Sequence, residues 1–386
     1  MQYANMPCDY KAKLKRKEEA INHIESDHVP VILMQTTWGI SYANTKISEV
    51  FYDRKRMAQL GCAPLKDLYT DFMLGGSLPA PMAAYDFLQP ETPQYFISDD
   101  DHTMQHKEIS PMKADEYSQL IANPKSYLEN VILPRRYPIL NRPYPENYKV
   151  FKGAYEAVVD FMQGMMYLVE YQKTEFGIPA FFDGSSYMPM DYMMDFLRGF
   201  RGTMSDMRRH PEELKEALNA LTDYLLPLYL GPNVPKGGVL MAPLHAPPFL
   251  SPKQFDEFYW PSFKRVIDAA NKKGIRVLLG LEGDWTPHIE KLKEFPKNSL
   301  IGTIENVDMF WAKKAVGDYI TLIGGMPCNL LKHGTKEECV NLTKKLIDEC
   351  GPNGGYIFST DKLLMSPGDI NIDNYKACLD TILTYK

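Results

Sequence analysis

The spacing of apolar positions changes character along this chain. After a charged stretch, KAKLKRKEEAINHIE (11–25), comes VPVILM (29–34), a short continuous apolar run. A run of that length, rich in β-branched residues, reads as a strand buried on both faces of a parallel sheet. From about residue 150 a regular alternation follows. YKVFKGAYEAVVDFMQGMMYLVEYQKTEF (148–176) reads as a long helix, and FGIPAFFDGSS (176–186) holds a strand ending near Asp183. Further strands are expected in 237–246, 275–284, 299–305, 320–327 and 354–360, with helices between them. The helix at 250–274 carries its own punctuation, Ser251 and Pro252 at its start and Gly274 at its end. Strands alternating with helices of 10–15 residues predict a parallel sheet with right-handed crossovers.

At least six strand–helix units are legible, which favours a closed (β/α)8 barrel of the TIM type. The expected layout is one domain over 1–386. Residues 1–28 form an N-terminal helical extension, and roughly 35–150 form an irregular insertion, rich in Pro, Tyr and Asp, that covers one face. The chain has 386 residues, 45% of them apolar, enough to bury one large core.

Charge narrows the partners. With 43 basic and 49 acidic residues the formal charge is −6. That balance argues against nucleic acid or an anionic membrane, both of which favour a basic face. Six cysteines without a CxxC pair read as reduced thiols. With no secretory signal at the start and no apolar run long enough to span a membrane, a cytoplasmic protein is expected. The 21 methionines and 24 tyrosines suit either ordinary core filling or a pocket for a flat ligand.

Active sites of such barrels form at the C-terminal ends of the strands. The residues expected there are Trp38 and Tyr42, then Asp183, Tyr187, Met188 and Met190, then His245, then Glu282, Asp284 and Trp285, and finally Glu305, Asn329 and Asp361. Strand ends are polar in most barrels, which accounts for Glu305 and Asn329. His245, between MAPL and APPFL, and Glu282, after VLLGL, are less easily explained that way. A carboxylate ending a buried strand is costly unless paired, metal-bound or protonated. Glu282, His245 and Asp183 are therefore the candidate catalytic residues. No phosphate loop, GxGxxG turn, HExxH helix or GxSxG elbow competes.

The segments PAFFDGSSYMPMDYMMDFLRGF, PLHAPPFLSPKQFDEFYWP, LEGDWTP and GDYITLIGGMPCNLLKHGTKEE followed by GGYIFST resemble the uroporphyrinogen decarboxylase superfamily, most strongly over 150–386. That resemblance implies a (β/α)8 barrel with its site at the strand ends. Two departures bear on the branch. Decarboxylases carry an Arg-rich PxWxMRQAGR element after their first strand, whereas here no Arg occurs between Val29 and Tyr52. Coenzyme M methyltransferases carry an HxC zinc element where this chain has Gly280 and Glu282, and a later Cys that FSTDKLLMSPGD lacks.

The EGDW, FFDGSS and DEYxxLIxxP elements look closest to corrinoid-dependent methyltransferases of O-demethylase systems. The resemblance then implies methyl transfer from a small methoxylated aromatic to cobalt(I) on a separate corrinoid protein. Glu282, raised in pKa by its apolar strand, would be the acid, with His245 sharing its proton. Zinc held by Glu282 and His245 is left open, as is a homodimer. Asp183 and Asp361 would hold ring substituents, with Asp284 beside them. Trp38, Tyr42, Tyr187, Met188, Met190 and Trp285 would wall the ring. The competing readings are a lyase for a carboxylated substrate, drawing on Arg135, Arg136, Arg142, Arg198 and Arg201, and a non-catalytic tetrapyrrole- or partner-binding protein.

Overall fold

The computed structural model describes residues 7–231 and 234–385. Its strands are β1 (Ile32–Met34), β2 (Phe72–Leu74), β3 (Tyr95–Ile97), β4 (Met104–His106), β5 (Gly184–Ser185), β6 (Val239–Leu244), β7 (Arg276–Leu281), β8 (Leu300–Ile304), β9 (Thr321–Met326) and β10 (Tyr356–Thr360). All but β3 and β4 run parallel, in the order β2-β1-β10-β9-β8-β7-β6-β5. A bridge between Val31 and Phe358 joins β1 to β10. The two ends of this sheet meet through the Phe72 and Phe181 rings, 5.2 Å apart.

One buried cluster fills the interior. It takes Ile32, Phe72, Phe181, Val239, Leu278, Ile301, Ile323 and Ile357, one from each of the eight parallel strands or the segment leading into it. Side chains arriving from all sides into one apolar centre make a packed barrel core. A second, larger cluster lies between the strands and the surrounding helices.

The helix Tyr10–Ile21 closes the N-terminal end of the barrel. Ala20 and Ile21 join the interior cluster. Lys17 Nζ donates to the Ala180 carbonyl at 2.9 Å, and Thr321 Oγ1 donates to that of Ala20 at 3.2 Å. The expected N-terminal extension is therefore a plug, and only the C-terminal end of the strands is left as a mouth.

The stretch 35–150 differs from its expectation. It contains β2, a barrel strand, as well as the antiparallel pair β3 and β4. Three apolar residues between Asp71 and Gly75 are too few to show a period, so β2 carries no pattern that distinguishes it from a loop. The helix after β6 is as expected: Ser251 caps it in a box with Gln254, and Gly274 ends it with φ +70°. No helix among the described residues is long and apolar enough to cross a membrane.

Candidate active site

β6 ends at Leu244 and β7 at Leu281, and the two strands pair in register there. The next residues, His245 and Glu282, are thus neighbours at the mouth. His245 Nε2 lies 3.4 Å from Glu282 Oε1. On the other side of the ring, His245 Nδ1 lies 2.6 Å from Asp195 Oδ2. The imidazole is held between two carboxylates. Burial alone would lower its pKa, but hydrogen bonds and charge from Asp195 and Glu282 outweigh burial and carry it up to about 11. Both carboxylates favour the protonated form of the ring.

A second carboxylate fixes the backbone beneath it. Asp191 is fully buried. Its Oδ1 accepts from the amides of His245 and Ala246 at 2.8 and 2.7 Å, and its Oδ2 accepts from the Tyr259 hydroxyl at 2.7 Å. Burial raises its pKa to about 6 despite these donors. Asp191 and Asp195 stand four residues apart, on one face of a helical turn. Asp195 lies in the π-helical turn Met193–Leu197, and Tyr259 in another, Phe255–Tyr259. Such turns recur at functional sites, because the extra residue re-aims a side chain.

Aromatic groups cover the cradle. Tyr187 meets the His245 ring edge to face at 6.1 Å and Phe196 at 5.1 Å. The β3–β4 pair reaches over from the expected cover. Gln94 donates from Nε2 to the Asp195 carbonyl at 2.9 Å, and the Tyr95 and His106 rings meet at a tilt of 52°, 5.4 Å apart. Burial, then the Asp195 charge, pushes the Tyr95 hydroxyl up to about 12. Burial lowers the His106 pKa, with the Asp195 and His245 charges opposing each other on it. Asp195, Tyr95 and His106 were not singled out in the sequence. The Asp191–Asp195 spacing was the available signal for the first, and nothing local marks the other two.

The remaining rim is ionic. Glu305 Oε2 accepts from the Gly283 amide at 2.6 Å, and its Oε1 lies 3.7 Å from Lys362 Nζ. Asp361 Oδ1 accepts from the Cys328 amide at 2.8 Å, so it caps that short helix. Asp284 is exposed and accepts from the Thr286 amide, which holds its carboxyl below the usual range. A separate cleft of about 530 Å³ opens elsewhere, between Asp99, Asp100 and Thr103 on one side and Met365 and Asp369 on the other.

Several expected site residues lie elsewhere. Asp183 is exposed and precedes β5 rather than ending it. Its Oδ2 accepts from the amide of Val239, the first residue of β6. His245 is six residues further up, roughly 20 Å at strand rise. Trp38, Met188, Met190 and Trp285 are buried at 3, 0, 0 and 0% exposure, in the layer between strands and helices. They cannot wall a substrate there. Tyr42 packs against the same layer and donates its hydroxyl to Asp67 at 2.7 Å. Glu282 is not enclosed either. Its side chain is 51% exposed rather than buried with its strand. Gly283, at φ +71°, turns the chain sharply after it.

A zinc ion does not fit this set. Both His245 ring nitrogens face carboxylates, and the described residues hold no group of three or more His, Cys, Asp or Glu side chains arranged for a metal. Zinc sites take at least three protein ligands.

The fold and the cradle define a class, a parallel (β/α)8 barrel with a cluster of ionisable side chains at its C-terminal mouth. The chain belongs to the uroporphyrinogen decarboxylase family, whose profile, Uroporphyrinogen decarboxylase (URO-D), matches residues 162–385. Among solved structures it is similar to a methyltransferase from Methanosarcina mazei, with a TM-score of 0.59 and 14% identity, covering 97% of this chain and 98% of the other. At that identity the likeness concerns the fold. Comparison with curated proteins gave no match.

Proposed function

We propose that this protein transfers a methyl group from a small methoxylated aromatic to the cobalt(I) of a separate corrinoid protein, with His245 as the general acid. The observation that carries this reading is the imidazolium of His245, clamped by Asp195 and open towards the mouth beside Glu282. A phenolate is a poor leaving group and needs a proton as the carbon–oxygen bond breaks. Phenols titrate near a pKa of ~10. An imidazolium at about 11 is closely matched to that oxygen.

In the proposed step the ether O–CH3 bond breaks, its electron pair stays on oxygen, and the His245 proton moves to that oxygen. The methyl group leaves with cobalt's electron pair. Asp195 keeps the ring oriented and its charge balanced. Glu282, half in water, returns a proton from solvent to Nε2. Tyr187 and Tyr95 would flank the aromatic ring.

A lyase for a carboxylated substrate is less well supported, because four of its five candidate arginines already have side-chain partners. Arg135 pairs with Glu116, Arg136 with Gln94, Arg142 with Glu146 and Arg198 with Asp206. The test is a panel of methoxyarenes mixed with the protein and a reduced corrinoid protein. Phenol release matched by methylcobalt absorbance, and lost in His245→Gln, is expected. Absence of both from the whole panel contradicts the assignment.

A further inference from the structure

The helix Glu146–Phe176 is 31 residues long and apolar on two faces. One face is covered: Ala154, Phe161 and Leu168 are buried, and Gly153 lies under the Phe87 ring. The other face is bare. Tyr148, Phe151, Tyr155, Met162, Met166 and Val169 are 55, 55, 61, 56, 72 and 40% exposed, and Tyr144 just before the helix is 78% exposed. With Val158 and Met165 filling the gaps, positions 148, 151, 155, 158, 162, 165 and 169 alternate in steps of three and four. That is the seam of a paired helix.

A helix apolar all round belongs in an interior. At about 200 Å² for a large apolar side chain, the bare face amounts to roughly 800 Å². That exceeds the ~300–600 Å² of the largest patch on a typical monomer. Two such faces together would bury about 1,600 Å², the size of a standard stable interface.

We propose that this face binds the same face of a second copy of the chain, with the two helices antiparallel. The stripe is polarised. Its first half is aromatic, and its second half is methionine and valine. A two-fold axis between Val158 and Val159 sets Phe151 against Met166, Tyr155 against Met162 and Tyr148 against Val169. Phe151 and Tyr155 then each meet a flexible methionine, with sulfur–aromatic contacts, and Tyr148 meets the smaller Val169. Lys149 and Lys152 flank the aromatic half and Glu170 the other, so the same axis brings opposite charges together. The present partners of Lys152 and Glu170, Glu156 and Lys173, are exposed pairs of little worth. Self-matching of this kind is what an isologous pair requires. The helix lies on the flank of the barrel, and its last residue, Phe176, accepts from Lys13 of the plug helix. Pairing there leaves the mouth free.

Analytical ultracentrifugation of the full chain over a dilution series tests this. A dimer is expected, and Phe151→Glu or Met166→Glu should each raise its dissociation constant about 100-fold while thermal unfolding stays near wild type. For orientation, in a Cys8→Ser background, Val158→Cys should cross-link to itself on mild oxidation. Tyr148→Cys should cross-link only when mixed with Val169→Cys. A chain monomeric at concentrations on the order of 50 µM overturns the proposal. So does a dimer indifferent to both glutamates, self-linking of Tyr148→Cys, or a monomer that uses this face for the corrinoid protein instead.

Discussion

The barrel carries a carboxylate-bound cation at each end, and the two are finished differently. At the plugged end, Asp71 is fully buried and receives Arg16 Nη1 at 3.0 Å, the Tyr69 hydroxyl at 2.9 Å and the Val31 amide at 2.9 Å. Burial would raise its pKa, but His28 and Arg16 hold it low. Arg16 is taken up in turn by Asp27 through bonds of 2.7 and 2.8 Å. At the mouth, Asp195 holds His245 in the same manner, and the outer members of both clusters, Asp27 and Glu282, stand in solvent. Both clusters use the same residue types. The closed one fixes the plug helix against β1 and β2. In the proposed reaction, the one at the mouth keeps a donor beside Glu282 for the substrate oxygen. Enclosure of the central cation separates the two: the Arg16 side chain is 13% exposed and that of His245 30%.

The sharpest way to break this comparison is to exchange the consequences. His245→Gln should lower the rate of methyl transfer by about 10³-fold and leave the melting temperature nearly unchanged. Asp71→Ala removes the acceptor of the buried Val31 amide and the Tyr69 hydroxyl and one of the two carboxylates on Arg16, and should cost about 3 kcal/mol of stability, read by denaturant titration. Its turnover per folded molecule should stay at the wild-type value. If His245→Gln unfolds as readily as Asp71→Ala, the two clusters are one kind of thing.

Smaller changes sharpen the contrast within the mouth. Asp195→Asn leaves the ring in place but loosens its aim, for a loss of about 10²-fold. Glu282→Gln removes only one supporting charge, and a drop of about tenfold is expected, one pKa unit's worth of proton affinity. Single-turnover kinetics at saturating substrate would separate these two. Equal losses would show that both carboxylates act alike.

The β6–β10 half of the barrel was legible because each strand is a continuous apolar run between helices with clear caps. The pairing of His245 with Glu282 followed from that, since consecutive parallel strands in register bring their first loop residues together. β2 was not legible as a strand, and the strand expected in 176–186 was placed to end near Asp183, whereas its two ladder residues, Gly184 and Ser185, come after it. The misplacement of Asp183 came from that shortness: the β5 ladder starts after it, opposite Leu240, so Asp183 belongs to the plugged end. Asp195 was hidden in a π-helical turn, which disturbs the helical period that would have aimed it. Glu282 was read as buried from its apolar predecessors, but Gly283 turns the chain there, and burial depends on neighbours that local sequence does not contain. The Met and Trp candidates were legible as apolar but not as facing outward from the strands, where they pack beneath the helices.

The charge on His245 has a consequence in pH. Its folded pKa, about 11, lies above the ordinary value of 6.5, so the folded state holds the proton more tightly. The stability this contributes is complete below pH ~6.5 and is lost as pH rises through about 11. The most direct measurement of the central claim is therefore an NMR titration of ¹⁵N-labelled His245, assigned by comparison with His245→Gln. Both ring nitrogens should remain protonated at pH 9. A ring half-titrated near 6.5 would contradict the account, because no clamped imidazolium would then exist to supply the proton.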